Sequence, residues 1–149
     1  MKLIDLEMIH KAYPELLEET SYFDSPSDYT PLLSLFGKII IQIDDDDYSG
    51  DSRVLYECSE KEIGYLNFGW GSCSGCDSLQ ACSDVNEIVT LANNLQSQVK
   101  WLAREEMLKF FLEHDWEGEY SYHEEKQKEF ITKVIDFLQK EENETRNIS

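Results

Sequence analysis

The sequence predicts an α+β fold: a three-stranded antiparallel meander covered by helices, with an N-terminal helix and two or three C-terminal helices. Three observations point there. Apolar, β-branched segments between Leu32 and Trp70 are joined by short links rich in Asp, Ser, Gly and Glu, the pattern of hairpins. Apolar residues before and after that region recur every three or four positions, the helical period. The strands are consecutive and most helices follow them, so helices are expected to cover one face of an antiparallel sheet. The 149 residues, 41% of them apolar, suffice for one domain with a core. Residues 1–149 therefore read as a single domain, with 140–149 as a fraying tail.

The elements follow in chain order. Ile4, Met8, Ile9 and Ala12 share one helical face. Pro14 interrupts that helix, and PELLEE restarts one with proline in its first turn. SYFDSPSDYTP is a loop by composition. Leu32 to Ile43 holds the first strand, Asp44 to Asp51 a turn, Ser52 to Cys58 the second strand and Ile63 to Trp70 the third. Asp84 with Glu87 forms a capping box, and Val85, Ile88, Val89, Ala92 and Leu95 continue it as an amphipathic helix. Val99 to Leu102 has the composition of a further short strand. Glu105 to His114 reads as helix. Ser121 to Glu124 is a second capping box, opening a helix with Ile131, Val134, Ile135 and Leu138 as its apolar stripe.

Charge is the dominant bulk property. Thirteen Lys and Arg face 31 Asp and Glu, a net charge of −18, and both halves of the chain are negative. Such a surface repels nucleic acid and anionic lipid and attracts basic surfaces. Direct nucleic-acid binding and membrane association are thus disfavoured, and a basic protein surface is the expected partner. The N-terminus lacks the apolar run of a signal peptide, and no segment is apolar enough to span a bilayer. A cytoplasmic location with reduced thiols is the resulting expectation.

Two acidic stretches are candidate partner-binding surfaces. Asp44, Asp45, Asp46, Asp47 and Asp51 crowd one hairpin turn, where adjacent carboxylates require solvent, a cation or a basic partner. Asp45, Asp47, Ser49 and Gly50 match the opening of an EF-hand calcium loop, but Tyr56 stands where that loop needs a bidentate glutamate. The second stretch sets Glu117, Glu119, Glu124 and Glu125 among Trp116, Tyr120 and Tyr122, a mixture common at interfaces. His114 and His123 read as loop or capping residues, because no nucleophile lies at a diagnostic spacing. No catalytic residue is assigned.

The cysteines admit three readings. Cys73 and Cys76 form a C-x-x-C after a strand and a tryptophan, as in thioredoxin-like redox proteins; the parallel βαβ core and facing proline of that family are missing, Pro31 being the last proline. Cys58, Cys73, Cys76 and Cys82 form a candidate zinc set, with His10, His114 or His123 as substitutes for one thiolate, although a second C-x-x-C knuckle is lacking. The favoured reading makes the thiols small apolar groups in a glycine-rich turn. No cofactor is expected on that reading, zinc being the alternative.

The run GYLNFGWGSCSGCDSLQAC (Gly64 to Cys82), preceded by an acidic hairpin and followed by a helix ending near Val99-Lys100-Trp101, resembles a family of short acidic proteins encoded by bacteriophages and prophages. The resemblance covers about a third of the chain. It implies a mobile-element context and carries over no catalytic residue. Joined to the charge, it suggests an inhibitor of a host nucleic-acid enzyme or defence system, of the anti-CRISPR or anti-restriction type. A rigid array of carboxylates would then take the place of phosphates in a cationic groove. A zinc- or thiol-dependent binding module on the four cysteines is the alternative.

Overall fold

The computed structural model describes residues 2–17, 23, 25–46, 49–58, 62–72, 77–117 and 124–148, with side chains of the last helix described to residue 140. Its centre is an antiparallel sheet of four strands in the order β1-β2-β3-β4. These are β1 Lys38–Asp44, β2 Gly50–Cys58, β3 Glu62–Trp70 and β4 Lys100–Ala103. The first three form the expected meander. The fourth returns after a helix and adds to the β3 edge, pairing Gly64 with Trp101 and Ile63 with Leu102. Gly64 makes that close approach feasible, since a Cβ there would fall 2.8 Å from the Trp101 ring and 2.9 Å from Val99.

Helices cover both faces of the sheet, not one. The cause is visible in β2, where Ser52 through Tyr56 are all buried. A strand alternates its side chains between faces, so continuous burial requires a layer on each side. Val54 and Tyr56 join Leu66 and Phe68 beneath α1 (Leu6–Ala12), α2 (Thr30–Leu33) and α3 (Val85–Gln98). Leu55 and Ile63 join Met107, Phe111, Phe130, Val134 and Leu138 on the opposite face, under α4 (Arg104–Glu113) and α5 (Glu124–Ile148). An irregularity between Ile39 and Ile41 shifts the β1 register. It sends Ile39 to the first core and Ile41 and Ile43 to the second, as an extra strand residue does.

The first expected strand starts later than its apolar run. Leu32 and Leu33 belong to α2, whose first turn holds Pro31 and whose Thr30 N–H donates to the Asp28 carboxylate at 3.0 Å. Proline suits a first helical turn and aspartate satisfies its free amides. α3 begins where the capping box places it: Asp84 accepts the Glu87 N–H at 2.9 Å, and Glu87 reaches back to the Ser83 N–H. α5 runs through to Ile148, across the segment expected to fray. The capping residue Ser121 lies outside the described residues. No helix is long and apolar enough to cross a membrane, among the described residues.

Candidate functional site

The acidic hairpin does not present its carboxylates uniformly. Asp45 turns inward, its side chain 1% exposed, and pairs through Oδ1 with Arg53 Nη1 at 2.9 Å; the Arg53 side chain is 2% exposed. Its Oδ2 accepts the Asp51 N–H at 2.7 Å, and its own N–H donates to the Asp51 carbonyl at 3.0 Å. Gly50 leaves room for this turn, since a Cβ there would sit 2.6 Å from the Asp45 Cβ. Arg53 Nε donates to Gln127 Oε1 on α5. The expectation that Asp45 contacts a partner is thereby corrected: it is a buried counter-ion that holds the hairpin closed. A buried guanidinium requires such compensation, because an unpaired interior charge is very costly.

Asp44 and Asp46 flank Asp45 and are exposed. Both Asp44 oxygens accept from Gln42 Nε2 at 3.2 Å. Asp46 meets Lys126 of α5 at 3.2 Å, and this carboxylate pushes the Lys126 ammonium pKa up. Two contacts, Arg53 to Gln127 and Asp46 to Lys126, therefore fasten the hairpin to the first turn of α5. Glu124 and Glu125 stand exposed in that turn, where the helix dipole favours negative charge. Glu124 also meets Lys128 at 2.8 Å.

The structure thus joins two acidic segments that are far apart in sequence. Asp46 is set beside the start of α5, where Glu124 and Glu125 are exposed and Lys126 and Lys128 offset part of the charge, while Asp44, opposite Ser52 in the ladder, faces the other side of the hairpin. Glu117 is exposed beside Trp116, a buried ring whose Nε1 donates to the Phe111 carbonyl at 2.9 Å. It has no contact with the hairpin among the described residues. Asp47 and Glu119 lie outside the described residues.

The two described cysteines, Cys58 and Cys82, lie apart. Cys58 is exposed at the end of β2, opposite Glu62. Cys82 lies beyond the other end of β3, its N–H donating to the Leu79 carbonyl at 3.2 Å and its side chain packing on the first core. The length of β2, roughly 25 Å at ~3.3 Å per residue, separates those ends. A site through both does not fit this sheet. Burial, with Glu87, Asp77 and Asp84 nearby, pushes the Cys82 thiol up to about 11, the opposite of an activated thiolate. Cys73 and Cys76 lie outside the described residues. Among the described residues, no group of three or more His, Cys, Asp or Glu is placed to hold a metal ion. Tyr56, at the last position of the calcium-loop match, is buried and donates its hydroxyl to the Leu33 carbonyl at 2.9 Å.

Sequence reasoning missed three residues. Arg53 and Gln127 form the hairpin latch; a lone arginine in an apolar strand beside an aspartate run was the available signal. Asp77, just after the cysteine run, is buried and ties together Tyr29, Gly71 and Gln80. Its Oδ1 accepts the Tyr29 hydroxyl at 2.8 Å and the Gly71 N–H at 3.1 Å, and its Oδ2 accepts the Gln80 N–H at 3.0 Å. Aspartate three residues before Gln80 is a local capping pattern. No protein-family model, curated protein or solved structure gives a significant match to the chain.

Proposed function

We propose that this chain is an acidic interaction protein that covers the cationic, nucleic-acid-binding surface of a host enzyme or defence system. One observation carries the reading: the hairpin and the start of α5 are latched into a single edge by the buried Arg53, Asp45 and Gln127 contacts and by Asp46 with Lys126. Mimicry of a phosphate array needs carboxylates held in relation to one another, since ordering them at the moment of binding would cost affinity. Asp44, Asp46, Asp51, Glu124 and Glu125 are the contact residues of this proposal. A groove lined with Lys and Arg accepts them as it accepts phosphates, with counter-ion release and strong salt dependence. The phage and prophage resemblance makes a bacterial nucleic-acid enzyme the class of partner to test.

The test is affinity capture from nuclease-treated bacterial lysate at moderate salt, followed by competition with DNA and RNA for each captured protein. The variant Asp44→Asn/Asp46→Asn/Glu124→Gln/Glu125→Gln should associate about tenfold more slowly, the usual consequence of removing steering charge. Its thermal stability should stay close to the parent's, because the two ion pairs it removes, Asp46 with Lys126 and Glu124 with Lys128, are exposed and contribute little, while the buried Arg53 contacts remain. A partner that tolerates saturating nucleic acid, or one bound equally fast by the quadruple variant, refutes the proposal.

A further inference from the structure

The hairpin has a second side, away from α5. There Gln42, Asp44, Asp45, Ser52 and Trp70 face the segment Ser27 to Thr30 across a cleft of about 260 Å³, bridged at one point by Gln42 Nε2 donating to Thr30 Oγ1 at 3.3 Å. The cleft is a little smaller than the ~300–1,000 Å³ of ordinary small-molecule sites, a size suited to a single inserted side chain. Its lining has a definite chemistry. Trp70 supplies a half-buried indole, held in place by its Nε1 donating to Ser52 Oγ at 2.9 Å. Asp28 and Asp44 supply exposed carboxylates, and Ser27, Thr30 and Ser52 supply hydroxyls.

The aspartates of the hairpin differ in compensation. Asp45 lines the cleft but is paired with the buried Arg53, and Asp46 meets Lys126. The residues lining the cleft include no lysine or arginine among those described. Asp44 receives only the neutral Gln42 amide, and the Asp28 carboxylate only the Thr30 N–H, among the described residues. An ionised carboxylate has about four lone-pair positions, so both retain accepting capacity. The missing complement is a cation. Hard metal ions favour several carboxylates converging on one point, and no group of three or more His, Cys, Asp or Glu is so placed among the described residues. A guanidinium is better matched, since it spreads five donors over a plane and stacks on aromatic faces.

We propose that this cleft receives one arginine side chain of the basic partner, its guanidinium lying between the Asp44 carboxylate and the Trp70 indole. The proposal rests on the reading of the chain as a ligand of basic surfaces and adds the element of geometry that net charge lacks. Lysine fits less well, because a compact ammonium cannot engage carboxylate, hydroxyl and indole together.

The experiment uses the full chain and capped pentapeptides, Gly-Gly-Arg-Gly-Gly with its Lys and Ala counterparts, titrated against the indole N–H resonance of Trp70. That resonance is assigned by its loss in Trp70→Phe. Saturable binding of the arginine peptide is expected, weaker for lysine and absent for alanine. Asp44→Asn should weaken it about tenfold, as removal of one charge-assisted hydrogen bond does, while Glu106→Gln, at an exposed position of α4, leaves it unchanged. Asp44 is exposed, so that variant keeps its fold. No saturation in the parent, or equal binding by Asp44→Asn, overturns the proposal. Calcium chloride that displaces the peptide and broadens the same resonance at lower concentration overturns it too, by assigning the cleft to a metal. Arginine binding without nucleic-acid competition by the captured partner upholds the cleft and removes the proposed function. Intact competition without arginine binding removes only the cleft.

Discussion

Replacing Asp45 by alanine separates two carboxylates that are adjacent in the chain and opposite in energetics. Asp45 is buried against an equally buried Arg53 at 2.9 Å. Its removal leaves the guanidinium enclosed, with Gln127 as its remaining hydrogen-bond partner among the described residues and without the carboxylate that balanced its charge. Breaking a buried pair from one side costs about 3–5 kcal/mol, and the lost bond to the Asp51 N–H adds to the loosening of the hairpin. For a chain of this size, ~1 kcal/mol moves the melting temperature by roughly 2–4 °C, so a drop of about 10 °C is expected. Asp46→Ala is the internal control: its pair with Lys126 is exposed, and such pairs contribute little. Urea unfolding of parent and variants, compared at constant m-value, gives the two differences directly. The double variant Asp45→Ala/Arg53→Met should recover part of the loss, because no charge is then left buried. Equal midpoints for Asp45→Ala and Asp46→Ala, or no recovery in the double variant, refute the reasoning.

Two further outcomes are expected. The Cys82 thiol titrates near 11 rather than 9.0, so it is neutral in the folded protein at physiological pH. Because its folded pKa lies above its unfolded one, its contribution to stability is complete below about pH 9 and is lost as pH rises toward 11. Alkylation followed by peptide mass mapping should find the exposed Cys58 modified before Cys82 at pH 8, with the Cys82 rate still climbing between pH 9 and 11; a Cys82 rate that levels off by pH 9 contradicts this. Gly64→Ala inserts a methyl group 2.8 Å from the Trp101 ring and should cost about 1–3 kcal/mol. Calorimetry checks the cost, and an unchanged melting temperature would show that β4 yields without strain.

Much of the element order was legible locally. The α3 cap at Asp84 and Glu87, the amphipathic stripe after it and the stripe Ile131, Val134 and Leu138 are set by neighbours within a few positions, and the structure places helices there. The strands Gly50–Cys58 and Glu62–Trp70 were recognisable for the same reason, since their pairing closes through a short turn. Leu32 and Leu33 misled because an apolar pair has no period of its own; Pro31 in the first turn and the Asp28 carboxylate accepting the Thr30 N–H go with helix. The return of β4 to Gly64 depends on a contact 37 residues away, at a glycine whose purpose is invisible until Trp101 lies over it.

The acidic site divides along the same line. The sequence by itself determined that the surface is negative, that aspartates cluster at a hairpin and that glutamates open the last helix, because charge and local period are properties of composition and near neighbours. Only the tertiary structure decided which members of Asp44, Asp45 and Asp46 face outward, that the sheet is covered on both sides, and that Cys58 and Cys82 lie at opposite ends of it. The physical reason is that these outcomes rest on side chains brought together across the fold. Arg53 reaches Gln127 over 74 positions of chain, and no local pattern announces whether a carboxylate will meet water or a buried guanidinium.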